Sequence, residues 1–201
     1  MILYEAFVLS YTVFSIYCYY IDVISEKCTE NRNLNLEKYD RAIQLVIFNV
    51  FVVSYLFFYL SNTIYNPRDF NSILSIRDLF ICNYMSQLLF YLIHRIFHKV
   101  PFLLKYHKVH HEFKEPLGIR AAYTHPIDFV FGNLIPLGIT PFLLDTDIYT
   151  TCAITMYSVY ATIIIEHSNH NHNNIHHIRH HKYYNYNFGS AWIDQMMGTY
   201  K

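Results

Sequence analysis

Thirteen histidines stand in this 201-residue chain, none before position 94 and seven between 167 and 181. Three groups have spacings that set imidazoles side by side. His94 and His98 are one helical turn apart, so both rings share a face. His107, His110 and His111 form an H-x-x-H-H pattern. His177, His180 and His181 repeat it about seventy residues later, directly after His176. Between the groups lie His125, followed by Pro126, and His167, at the end of the last long apolar run. Imidazole nitrogen suits zinc, copper, iron and nickel. Eight to ten candidate ligands exceed the four that one structural zinc takes, so the pattern calls for two metals. Cys18, Cys28, Cys82 and Cys152 are scattered, without a C-x-x-C pair. They read as free thiols and not as ligands or a disulfide framework. The Glu-x-x-His plan of soluble carboxylate di-iron bundles is absent. An all-nitrogen iron pair points to oxygen activation.

Long apolar runs must position these histidines. Hydrophobic residues make up 53% of the chain and charged residues 15%, with 20 Tyr and 16 Phe. That excludes a disordered chain and argues against an ordinary soluble domain. The apolar runs are Ile2–Ile21, Ala42–Leu60, Leu79–Ile93, Pro126–Leu144 and Ile148–Ile165. Runs of this length cross a bilayer as helices, and Leu79–Ile93 is the weakest of them. The first run lacks a basic n-region and a small-residue cleavage site, so it reads as a retained helix and not a signal peptide. The Tyr excess fits membrane interfaces. The expected architecture is all-α: an integral-membrane bundle of about four to five apolar helices under a histidine-rich metal-binding cap. No linker divides it, so residues 1–201 read as one membrane-embedded domain.

Charge gives the sidedness. If every run crosses, residues 22–41, 94–125 and the tail after 166 share one face and hold 13 of the 15 Lys and Arg. Excess Lys and Arg marks the cytoplasmic side, so the histidines are expected to face the cytoplasm. Arg68, Arg77, Asp145 and Asp147 fall on the other face. A net charge of zero gives no case for nucleic-acid binding. Glu112, Glu115, Asp128 and Glu166 are near enough in sequence to accept imidazole N–H groups. Lys99, Lys105, Lys108 and Lys114 form a basic stretch able to steer an acidic donor, although positive-inside charge explains them equally well.

The order and spacing of H-x3-H at 94–98, H-x2-H-H at 107–111 and H-x2-H-H at 177–181 resemble the integral-membrane fatty acid hydroxylase and sterol desaturase superfamily. Tyr123-Thr-His-Pro-Ile-Asp128 resembles its His-Pro-x-acid element, and Glu166-His-Ser-Asn169 its His-Ser element. Asn187-Phe-Gly-Ser, Trp192-Ile-Asp194 and Gly198-Thr199 resemble its terminal signature. The likeness covers residues of about 80–200, the expected catalytic region. It implies two non-haem iron ions that use O2 and external electrons to hydroxylate or desaturate an unactivated C–H bond of a sterol or fatty-acyl lipid. It implies a membrane of the endoplasmic reticulum, and a b-type cytochrome fed by an NAD(P)H reductase as donor. Carried onto this chain, it marks His94, His98, His107, His110, His111, His177, His180 and His181 as ligands, with His125 and His167 beside them. Asn187 and Asp194 would fix the cap around them. The short, Asn/His-rich interval before His177 leaves His167, His170 and His172 open as alternatives. Family members often continue beyond the Gly-Thr pair, so a substrate-covering tail is expected after Lys201. A membrane zinc-binding or transport protein, or an inactive relative, is the competing reading. The lipid and the choice among hydroxylation, desaturation and demethylation stay open.

Overall fold

The computed structural model describes residues 1–20, 36–114, 117–168 and 175–201. His170, His172, Cys28 and Glu115 lie outside the described residues. Those described are helical, with no strand among them. Four helices are long and apolar enough to cross a membrane: Ile2–Tyr19, Asp40–Ile64, Pro126–Leu143 and Ile148–His167. The first is α1. The second joins α2 (Leu36–Ile47) through a π-helical segment, Phe48–Val53, to α3 (Ser54–Ile64). The third is a short α6 (Pro126–Asp128), a π segment at Phe129–Leu134 and α7 (Ile135–Leu143). The fourth is α8 (Ile148–Tyr160), continued by a π segment, Ala161–His167.

The fifth apolar run forms part of α4 (Ser72–Lys99), a single 28-residue helix. It is not among the four spans. Asn83, Ser86 and Gln87 interrupt its apolar face, and Arg77, Asp78, His94, Arg95 and His98 load its ends. Asn71 caps its start by accepting the Leu74 N–H at 3.0 Å. Its end falls at Val100, before Pro101 opens α5 (Pro101–His107), because the residue before a proline disfavours helical geometry. The chain closes with α9 (Ile175–Tyr183) and α10 (Ala191–Met196).

Aromatic and branched residues lock the spans together. The Phe7 ring of α1 meets Phe58 of α3 at 5.5 Å and Phe129 at 6.5 Å, centroid distances typical of favourable ring pairs. Leu56, Leu60, Ile64, Ile73 and Leu143 are exposed, as expected of faces turned to lipid. Polar side chains in the spans reach up to the cap. Asn49, in the first π segment, donates to the Ala122 and Thr124 carbonyls at 2.9 and 2.8 Å. The Tyr11 hydroxyl accepts the Ala122 N–H at 2.9 Å. These bonds fix residues 121–124, which hold the site.

The opposite end is tied by charge. Arg68 bridges Asp78 at 2.7 Å and Asp147 at 3.5 Å, and Arg77 reaches Asp78 at 2.7 Å. Asp147 caps α8 through the Thr150 N–H at 3.0 Å and accepts from the Ser75 hydroxyl at 2.5 Å.

Candidate metal centre

Five histidines converge into one buried group: His94, His98, His107, His111 and His180. A second group holds His110, His167 and His177. His181 borders the second group, with its Nε2 3.0 Å from His177 Nε2. The groups adjoin, since the His111 ring lies 4.4 Å from that of His181. Each comes from elements distant in sequence. The end of α4 supplies His94 and His98, α5 and the turn after it supply His107, His110 and His111, the last π segment supplies His167, and α9 supplies the rest.

Six rings are held at Nδ1 by an acceptor. His94 donates to Phe188 O at 2.6 Å, His107 to the Asp128 carboxylate at 2.8 Å and His110 to Tyr123 O at 3.2 Å. His167 donates to Thr162 O at 2.7 Å, His180 to Tyr186 O at 2.8 Å and His181 to Phe113 O at 2.9 Å. A carbonyl only accepts, so Nδ1 carries the proton and each neutral ring presents a bare lone pair at Nε2.

Those lone pairs meet. His94 Nε2 lies 2.9 Å from His107 Nε2, His107 and His111 are 3.0 Å apart, and His180 lies 3.1 Å from both His98 and His111. The His94–His107 contact sets two acceptors face to face. It repels unless a cation stands between them. Burial and the neighbouring imidazoles push His94 well down, His110 to about 4 and His180 to about 3. The buried His167 Nε2 has no hydrogen-bond partner among the described residues. Imidazoles bound at about 2.1 Å would sit roughly 3.0 Å apart at right angles and roughly 3.4 Å apart in a tetrahedron. The observed edges match right angles, and five nitrogens exceed a tetrahedral set. The residues therefore fit a pair of metal ions.

His125 stands apart from both groups. Pro126 opens a helix, which makes His125 its N-cap, and its Nδ1 accepts the Ile127 N–H at 3.2 Å. Its ring lies against Tyr106. His176 also stays outside, donating to Asp194 at 3.0 Å. Asp194 further accepts the Phe188 and Gly189 N–H groups at 2.9 Å each and the Thr199 hydroxyl at 2.7 Å. Burial alone would raise its pKa, but these bonds outweigh it and hold the carboxyl below the usual range. Asp194 thus fixes the backbone whose Phe188 carbonyl holds His94. Asn187, at φ 59°, ties the same segment to Lys201, with bonds of 2.7 and 3.0 Å. Among the acidic candidates, Asp128 accepts from His107 and Glu112 accepts from Tyr123 at 2.6 Å instead. Gly132 lies against Asp128, where a Cβ would come within 2.8 Å of Oδ1. Glu166 lines the cavity below.

Sequence reasoning named one of the six acceptors, Asp128, and missed the rest. Five of the six are backbone carbonyls, which no residue type announces. It also missed Tyr184, whose ring stacks on His111 at 4.4 Å. His111 Nδ1 is buried with no partner among the described residues.

A cavity of about 360 Å³ opens beneath the imidazoles. His94, His107, His110, His167 and His177 line one end. Phe129, Leu134, Leu137, Val159 and Ile163 supply apolar wall, so a hydrophobic chain there would lie against the ligand cluster.

Comparison with known proteins agrees with this geometry. The fatty acid hydroxylase family model matches residues 79–199. A fatty acid hydroxylase domain-containing protein of Macaca fascicularis is 30% identical over 129 residues, 61% of this chain and 38% of the relative. A fatty acid hydroxylase of Mycosarcoma maydis is 34% identical over 115 residues, 51% of this chain and 29% of the relative. A methylsterol monooxygenase of Rattus norvegicus is 42% identical over 50 residues, 24% and 17% of the two chains. The matched part is thus well under half the length of each of these relatives. No solved structure matches. With a match over more than half its length, the chain belongs to the fatty acid hydroxylase family.

Proposed function

We propose that this chain forms a di-iron, O2-dependent oxygenase or desaturase centre that attacks an unactivated C–H bond of a membrane lipid. The observation that carries this is the convergence of imidazole Nε2 lone pairs, with their Nδ1 atoms fixed, at the end of an apolar cavity. His94, His98, His107, His111 and His180 would hold one ion, and His110, His167, His177 and His181 the other. When bound, the iron pair supplies reduction of O2 and removal of the hydrogen; the protein supplies geometry and a dry pocket. Phe188 O, Asp128, Tyr123 O, Thr162 O, Tyr186 O and Phe113 O keep the donor atoms aimed. The apolar wall excludes water and lays the substrate chain against the ligands.

The histidine end is assigned to the cytoplasmic face of the endoplasmic reticulum, on the Lys and Arg asymmetry. Electrons would come from a b-type cytochrome fed by an NAD(P)H reductase, with Lys99, Lys105 and Lys108 on the basic approach. A zinc transporter should carry ionisable groups along its spans, whereas here the histidines gather at one end. The test is elemental analysis of detergent-purified protein with lipid turnover. Two irons per chain, lost together with activity in His110→Ala, are expected. No stoichiometric metal, or full activity in that variant, would overturn the reading.

A further inference from the structure

Hydroxyls in the spans behave in two ways. Most are absorbed by the helix that carries them. Ser10 donates to Ala6 O at 2.5 Å, Thr151 to Asp147 O at 2.9 Å and Thr155 to Thr151 O at 2.8 Å, and Ser54 donates to Val50 O. This back-bonding is the ordinary fate of a hydroxyl in an apolar helix. Ser86 of α4 and Ser158 of α8 depart from it. Both line the cavity. The Ser86 Oγ is buried without a hydrogen bond, and neither Ser158 nor Asn133, on a third wall of the same cavity, has a side-chain partner among the described residues. A buried polar group left unpaired costs about 1–3 kcal/mol; Ser86 carries that cost, and with Ser158 and Asn133 half-buried and unpaired on the facing walls, the three point to a ligand.

Their depth is matched. Ser86 precedes His94 by eight residues and Ser158 precedes His167 by nine, so at about 1.5 Å per residue both stand roughly 12 Å below the imidazoles. Gln87 lies at the same level of α4, and Asn83, one turn farther from the imidazoles, accepts from it at 3.1 Å. The chemistry of the band is neutral. No Lys or Arg lines the cavity, and its two carboxylates, Asp128 and Glu166, adjoin the histidine end.

We infer that Ser86, Ser158 and Asn133 form a subsite for an uncharged polar group of the lipid, a hydroxyl above all, and that this subsite sets which carbon is attacked. The inference rests on the proposed lipid-oxidising role. A 12 Å span is roughly nine or ten bonds of an extended chain with C–C lengths of about 1.5 Å. The preferred substrate is therefore a neutral single-chain lipid, oxidised about nine or ten carbons from its polar group. A carboxylate finds no cation in the band, so a free fatty acid is disfavoured there.

The structure also provides the reporter. Trp192 is the single tryptophan, and its indole N–H donates to Gln87 Oε1 at 3.2 Å, beside the band. The experiment titrates the full chain in detergent micelles with hexadecan-1-ol, hexadecane and palmitate, reading Trp192 emission, and measures bound metal on the same samples. The alcohol is expected to bind about tenfold tighter than the alkane, the worth of one or two hydrogen bonds, and tighter than palmitate. In Ser86→Ala/Ser158→Ala that preference should collapse, with alkane binding and metal content unchanged. Asn133→Leu, which removes the third wall separately, should weaken the alcohol alone. An alcohol bound no tighter than the alkane, or an unchanged preference in the double variant, overturns the subsite. The metal measurement judges the other reading independently. Alcohol preference without stoichiometric metal would keep the subsite and remove the oxygenase, and metal without preference would do the reverse.

Discussion

The two ends of the bundle bury polar groups in opposite ways. At one end Arg68, Arg77, Asp78 and Asp147 carry full charges that answer one another, with Ser75 and Thr150 completing Asp147. At the other, nine imidazoles crowd together, and where Nδ1 is held by an acceptor, as in His94 and His107, the Nε2 atoms face each other. The charged end sets each carboxylate against a guanidinium, although Arg68 Nε lies buried there without a hydrogen bond, and it ties α4 to the α7–α8 connection. The converging Nε2 atoms at the other end have no such opposite charge facing them among the described residues. Charge content is therefore a poor guide to which buried cluster binds something; the convergence of like acceptors is the better one.

The largest effect separating the two ends should come from His107→Ala. His107 touches His94 and His111 and is oriented by Asp128. Its loss is expected to weaken metal binding by more than about 100-fold and to abolish turnover, read by elemental analysis and product formation. A variant that kept both metals would break the comparison. Next is Arg68→Ala. It leaves Asp78 to Arg77 alone and Asp147 to its Ser75 and Thr150 donors, and should cost about 1–3 kcal/mol of stability, seen as a lower Tm. At low temperature the metal content should be that of the parent; a parallel loss of metal would show that the ends are not independent.

Smaller is Asp194→Asn, which weakens the hold on Phe188 and so on His94. Metal affinity should fall about 10–100-fold by competition with a chelator, while Asn187→Ala serves as a second lesion in the same segment. An unchanged affinity in both would show that the tail is a mere tether. The smallest effect is of pH on the metal-free protein. Unfolded imidazoles take up protons near 6.5, whereas His110 and His180 in the folded state wait until about 4 and about 3. The unfolded state binds more protons in that window, so stability should fall as pH drops from 6.5 toward 4. At the other end burial would raise Asp147, but its bonds to Ser75, Thr150 and Arg68 outweigh this and hold it below 3.8, leaving that end silent over the same range. Thermal melts at pH 7.5 and 5 after chelation would show this, and a flat response would count against it.

Much of this was legible in the residues, for stated reasons. Turn spacing places His94 with His98 because a helix carries them. Pro101 ends α4 because it must. The division into groups of five and three was not legible, since it depends on how α4, α5 and α9 meet. His125 shows how a spacing argument errs. It stands among ligands in sequence, yet the proline that follows makes it a helix cap. The weakest run, 79–93, is indeed the one outside the four spans. What the sequence did not show is that its Asn83, Ser86 and Gln87 line the cavity. The π segments were invisible too, and one of them carries Asn49 to the loop that holds His110.

Tyr184 and His111 have a mechanical consequence. Within the five-histidine group, His94, His107 and His180 must each break an Nδ1 hydrogen bond to turn, whereas among the described residues His98 and His111 have no Nδ1 bond to break, and His111 rests on the flat of Tyr184. The cage therefore has two looser bars among three fixed ones. Since His111 also neighbours His181, it swings at the seam between the two groups, where a single rotation alters both.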